Sequence, residues 1–262
     1  MKKKVMIVPL AMLLSLGVTA TSVSADGGTD AVTDGRVTVE DSGKTGIVDP
    51  ENPDKLVDPG ELRATEGSLR FDYVSALDFG KVKIGPKNRE FDSLAQNFMN
   101  KETDARGFFL QISDFREKKS GWTLQVKQEE QFKTPEYDEL TGGVLSFDNG
   151  WANNQSKKGT PTVTRNTIKI NNIGESYDVA SAATGEGTGI WSIAFGASDK
   201  NSNNQKATLK AEKDDKGKPL MDATYNKPVY RNSAVSLSIP ESTNVLPKEY
   251  QTKITWILGE LP

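Results

Sequence analysis

From Leu69 onward, apolar residues recur at every second position in short runs separated by Gly, Pro and Asn, the spacing of strands with one wet face. SLRFDYVSALDFGKVKIG (68–85) places Leu69, Phe71 and Tyr73 on one face of an extended segment, with Leu77 and Phe79 on the next piece. FFLQISDF (108–115) and GWTLQVKQ (121–128) both read as strands, and the charged REKKS between them, ending at Gly121, predicts a hairpin. Further strands are predicted at GVLSF (143–147), NTIKI (166–170) and IWSIAFG (190–196). AVSLSIP (234–240) alternates Val235, Leu237 and Ile239 with two serines, and KITWIL (253–258) puts Ile254, Trp256 and Leu258 on one side. Phe91, Leu94, Ala95 and Phe98 have helical spacing and predict a short helix. The polar stretches 149–159 and 199–218 predict surface loops. Many short strands with turn residues between them predict an all-β chain, folded as an antiparallel β-sandwich or a barrel-like domain.

The pattern before Leu69 is different. Lys2 to Lys4, the apolar run Val5 to Val18 and the small-x-small triplet Val23-Ser24-Ala25 predict a signal peptide over 1–25, cleaved after Ala25. The apolar run is short for a span of roughly 20 residues. Residues 26–65, with DPENPDKLVDPGE at 49–61, read as an acidic Pro/Asp-rich linker, extended or disordered, leaving 66–262 as the β-domain. RVTVE (36–40) alternates but has no evident partner strand, and the acidic residues match no EF-hand spacing. No second apolar span and no Leu-Pro-x-Thr-Gly sorting signal follow, so attachment to a cell, if made, is expected to be non-covalent.

Composition narrows the chemistry. Of 262 residues, 35% are hydrophobic, enough for one sizeable core. Cysteine and histidine are both absent, which excludes disulfides, thiolate nucleophiles, Cys/His metal sites and histidine general bases. Without Lys2 to Lys4 the chain carries 30 basic against 36 acidic side chains, a net of −6, so nucleic acid is not an expected partner. A two-carboxylate glycosidase stays chemically possible, yet no acid-rich motif points to such a pair. No cofactor, metal or catalytic residue is assigned.

What remains is aromatic. Trp122 with Leu124, and Trp256 with Leu258, form a repeated Trp-x-Leu tripeptide, once mid-chain and once at the end. Each indole reads either as a core anchor or as a platform left partly open for the apolar face of a sugar ring. Trp151, in the polar segment DNGWANN, is the tryptophan expected to be exposed, the alternative being a ring tucked onto the sheet. Asp114 and Arg116 fall on one face of a strand and predict a structural ion pair; at a bare surface it would contribute less than about 1 kcal/mol. Lys81, Lys83, Lys87 and Arg89 read as a solvated basic face.

Taken in order, these segments resemble the WxL-domain proteins of low-GC Gram-positive bacteria. The match rests on the acidic DPENPD tract, Asp78-Phe79-Gly80, FFLQISDFR (108–116), GWTLQV, GTGIWSIAFG (187–196), VSLSIP and the closing ITWILGELP. Two departures are the charged Arg116-Glu117-Lys118-Lys119 and Ile257, where threonine is common. The resemblance implies a secreted, non-enzymatic protein of the cell wall and cell surface that holds peptidoglycan without a covalent link. It also implies complexes with membrane-anchored WxL-interacting proteins and other WxL proteins. Trp122, Leu124, Trp256, Leu258 and Trp151 are the candidate wall-binding residues. An adhesin for host extracellular matrix protein is the alternative.

Overall fold

The computed structural model describes residues 45–85 and 89–262. The expected signal segment, RVTVE and Lys87 lie outside them. Among the described residues are fifteen strands and no helix, in three antiparallel sheets and a two-stranded ribbon. The first sheet has the order β1 (Leu69–Val74), β3 (Phe108–Asp114), β10 (Gly189–Phe195), β6 (Gly150–Asn153). The second runs β15 (Ile254–Glu260), β4 (Trp122–Gln128), β9 (Ser176–Ala182), β7 (Thr162–Val163). The third runs β11 (Leu209–Ala211), β14 (Tyr230–Ser238), β5 (Val144–Phe147), β8 (Ile168–Ile170), with β2 (Glu90–Leu94) also on β14. The ribbon joins β12 (Met221–Asp222) to β13 (Lys227–Pro228). None of these sheets closes on itself, so the sandwich is realised and the barrel is not.

The three sheets share one core. Phe108, Leu110 and Ile112 of β3, Trp122, Leu124 and Val126 of β4, and Phe147, Val235 and Leu237 of the third sheet are all buried in it. Alternation explains β4, whose burial switches at every residue. It does not explain β3, which is buried at all seven positions. The second face of β3 is covered by a separate small cluster in which Phe109 meets Tyr73, Phe98, Trp151, Ile47 and Val57.

Ile47 and Val57 belong to the stretch expected to be linker. From Thr45 to Pro59 that stretch is instead a strap laid on the first sheet. Val48 bridges Leu56, and its N–H donates to Gln111 Oε1 at 2.8 Å. Gln111 Nε2 donates to the Gly46 carbonyl, and Asn153 Nδ2 to that of Pro50. Asp49 and Glu51 are 1% and 4% exposed. The acidic tract therefore seals the sheet, and the folded domain starts before residue 66. Its carboxylates are tolerable there because Arg106 and Ser198 meet them.

Three other expectations change. The strands at 108–114 and 122–128 do not form a hairpin: β3 pairs with β1 and β10, and β4 pairs with β15 and β9. A strand buried on both faces needs neighbours in the sheet the strap covers, whereas the alternating β4 needs only one dry side. Phe71 and Tyr73 are split by a bulge between them, which sends Phe71 into the main core and Tyr73 into the smaller cluster. The bulge aims Asp72 at Gln111 Nε2 (3.0 Å) and Ser113 Oγ (2.6 Å), with Arg70 Nε at 3.0 Å. Lastly, Phe91 and Leu94 lie on β2, where pairing of Phe91 with Leu237 and of Leu94 with Arg231 overrides the helical spacing.

Candidate functional site

The two Trp-x-Leu tripeptides are neighbours. β15 and β4 run antiparallel with Leu258 opposite Leu124, Trp256 opposite Val126 and Glu260 opposite Trp122. All six side chains lie on one face, so the tripeptides meet about a local two-fold axis through the leucines. Trp122 is fully buried, and its Nε1 donates to the Gly187 carbonyl at 3.1 Å. Gly187, at φ +69°, has no alternative: a Cβ there would stand 2.4 Å from Trp122 Nε1. Trp256 is half-buried on the edge strand, stacked on Phe108 (5.6 Å between centroids, 26° between planes) and edge-on to Phe147 (5.5 Å). Leu124 is fully buried and Leu258 half-buried. Trp122 has no open indole face.

Of the two readings of Trp151, the ring tucked onto the sheet holds and the exposed one does not. It is 4% exposed on β6, its Nε1 donating to the Gly196 carbonyl at 3.0 Å. Its polar neighbours reflect an edge strand rather than a free loop, and its ring belongs to the small cluster under the strap.

Charge ties these parts together at two points. Arg116 Nε and Nη2 reach Asp114 Oδ1 and Oδ2 at 2.9 and 2.8 Å, Nη2 also donates to the Gly121 carbonyl, and Nη1 lies 2.8 Å from Glu260 Oε1. With Asp114 1% exposed, this is no bare surface pair; it joins β3, the turn before Trp122 and the end of β15. The Asp114 hydrogen bonds raise the Arg116 guanidinium further above its ordinary range. On the strap side, Arg106 Nε and Nη2 meet Asp49 Oδ1 and Oδ2, both at 2.8 Å, and Nη1 lies 3.4 Å from Glu51. Burial alone would raise the Asp49 carboxyl, but the Arg106 hydrogen bonds and charge outweigh it and hold the group below its ordinary value. For Glu51 burial wins and pushes the carboxyl up, although Ser198 donates both its N–H and its Oγ–H at 2.6 Å. Both carboxylates are thus spent on the strap rather than facing a cleft. In the basic run, Lys81 and Lys83 are exposed, while Arg89 Nη1 donates to the Pro240 and Thr243 carbonyls.

Two surface concavities lie away from the tripeptides. One, of about 330 Å³, lies between residues 138–141 and 242–246, and is lined by Asp138, Glu139, Thr141 and Asn244 among others. Beside it in sequence Tyr137, 76% exposed at φ +67°, carries Lys133 Nζ 5.3 Å from its ring centre. The other, of about 230 Å³, lies between the β6 edge with its following loop and the 202–205 loop. It is walled by Asn153, Asn154, Asn203, Asn204 and Gln205 over Trp151 and Trp191. Periodicity says nothing of either, but two asparagine-rich stretches, WANN (151–154) and NSNNQ (201–205), were visible signals for the second.

A family model for the WxL domain, described as surface cell wall-binding, matches residues 26–262. The chain belongs to the WxL family. No curated relative and no solved structure matches it. The WxL domain is a cell-wall-binding domain of the cell surface. Among the described residues no helix is long and apolar enough to cross a membrane. The departure at Ile257 has a simple place in the WxL sheet: that side chain, 36% exposed, points away from the face that carries Trp256 and Leu258.

Proposed function

We propose that this WxL protein is exported by its first 25 residues and attaches non-covalently to peptidoglycan as a non-enzymatic surface module. There it joins complexes with membrane-anchored WxL-interacting proteins and other WxL proteins. The observation that carries the reading is that the family match covers residues 26–262 and so takes in the entire described fold, from the strap to β15. The match begins at the residue after the expected cleavage point. The Trp-x-Leu pair serves by building the second sheet, with Trp122 and Leu124 as interior supports and Trp256 and Leu258 at the margin; Trp151 anchors β6 in the small cluster under the strap. The test is co-sedimentation of the mature protein with isolated sacculi, untreated and stripped of teichoic acid. Sedimentation with both is expected; protein left in the supernatant with both overturns wall attachment. Pull-down with a membrane-anchored WxL-interacting protein tests the complexes separately.

A further inference from the structure

We infer that the amide-walled cleft between the β6 edge and the 202–205 loop is a subsite for a neutral glycan bearing hydroxyl and N-acetyl groups. The inference deepens the wall-binding reading and rests on it for the source of the ligand.

The lining decides the ligand class. Five carboxamides, Asn153, Asn154, Asn203, Asn204 and Gln205, line about 230 Å³ from two segments some fifty residues apart in sequence. Asn153, Asn154 and Asn203 commit amide groups to Pro50, Lys157 and Glu51 and shape the walls, while the Asn204 amide and the Gln205 Oε1 are left to face a ligand. No lining residue is Asp or Glu, in a chain with 36 of them, and the single charge is Lys157. A metal ion or a cationic ligand has no counter-charge there, and an acid/base pair for hydrolysis is missing from the lining. Carboxamides donate and accept in one plane, which suits the paired hydroxyls and acetamido groups of a hexosamine. An extended peptide would instead be read by main-chain groups of a strand edge with alternating side-chain pockets.

The walls are built in advance. Asn201 Oδ1 accepts from the N–H groups of Asn203 and Gln205, and its Nδ2 donates to the carbonyls of Ser198 and Gln205. Asn203 Nδ2 donates to the Glu51 carbonyl, fixing this loop to the strap. Across the cleft, Asn154 Oδ1 accepts from the Lys157 N–H at 2.5 Å. Lys157 and Asn204 both stand in the left-handed region, at φ +53° and +55°, one in each wall. Such a backbone is strained for a lysine, and the surrounding hydrogen bonds must offset the strain. Both floor indoles spend their N–H groups internally, Trp151 on Gly196 and Trp191 on Thr188, and with Trp191 fully buried and Trp151 4% exposed they make a rigid base that leaves ligand contact to the amide walls. The exposed Asn204 amide has no hydrogen-bond partner among the described residues and is free for a ligand.

The experiment compares the full mature chain with the double variant Asn204→Gly, Gln205→Ala. Glycine keeps the left-handed backbone, and Asn226→Gly, at the left-handed residue of the ribbon turn, controls for that exchange. The probes are the N-acetylglucosamine tetramer, by titration calorimetry and ligand-observed NMR, and sacculi before and after hydrofluoric-acid stripping of wall polymers. Losing the Asn204 amide and the Gln205 Oε1 should weaken binding of tetramer and stripped sacculi roughly ten-fold or more, with Asn226→Gly unchanged and the double variant still melting cooperatively, lower only by its lost Gln205 Nε2 bond to the Asn203 carbonyl. Equal binding of the double variant to both probes overturns the cleft and leaves wall attachment standing. Tetramer binding that the variant loses, without sacculus binding by the parent, keeps the glycan site and removes wall attachment. Binding abolished by stripping, with no response to the tetramer, assigns the ligand to another wall polymer and overturns the N-acetylhexosamine assignment. No binding to either probe overturns the inference too.

Discussion

Trp122 and Trp256 flank the Leu124–Leu258 pair on two antiparallel strands, the first with none of its surface exposed, the second half-buried against Phe108. Equivalent in sequence, they differ in surroundings because β4 is an inner strand and β15 an edge. Trp122→Ala should cost about 3–5 kcal/mol, from lost burial and the cavity left behind, and Trp256→Ala clearly less. Urea unfolding of the two variants checks the order; equal losses would contradict it.

Truncation at the strap gives a second test. A chain beginning at Thr45 should melt cooperatively. One beginning at residue 66 should bind a hydrophobic dye and lose its cooperative transition. It uncovers Tyr73, Phe109 and Trp151 and leaves Arg106 without its carboxylates. Calorimetry with dye fluorescence separates the outcomes.

The strap carboxylates should titrate with opposite sign. Asp49 is held below its ordinary value of 3.8, so its contribution is present above that pH and lost as pH falls through the folded value. Glu51 is held above its ordinary 4.5, so its contribution is full below 4.5 and lost as pH rises through the folded value. Asp49→Asn should therefore destabilise at pH 7 and progressively less toward pH 3. Glu51→Gln should cost less at pH 7 than Asp49→Asn, and its penalty should grow toward low pH. Melting temperatures across pH 3–7 measure both slopes.

Removal of residues 253–262 should abolish folding. It strips β4 of one neighbour, opens the core at Trp256 and Leu258, and frees Arg116 from Glu260. A soluble, cooperatively melting truncation would refute this.

The sequence by itself determined the strands with one wet face. In β4 and β15 a period of two leaves a single way to bury the apolar side, so alternation alone located them; in β14 it placed Val235 and Leu237 inside but not Ser236, which is buried between them. It also determined that Asp114 and Arg116, two residues apart, could pair. Tertiary structure decided what depends on a second surface. β3 reads like its neighbour β4 but is covered twice, because the strap supplies Ile47 and Val57 above it. One bulged residue, Asp72, reverses the faces of Phe71 and Tyr73, and periodicity cannot register a single inserted position. The acidic tract looks solvated until Arg106, 57 residues from Asp49, arrives to neutralise it. The amide cleft likewise exists only where β6 and the 202–205 loop converge, since binding surfaces depend on distances that local pattern does not contain.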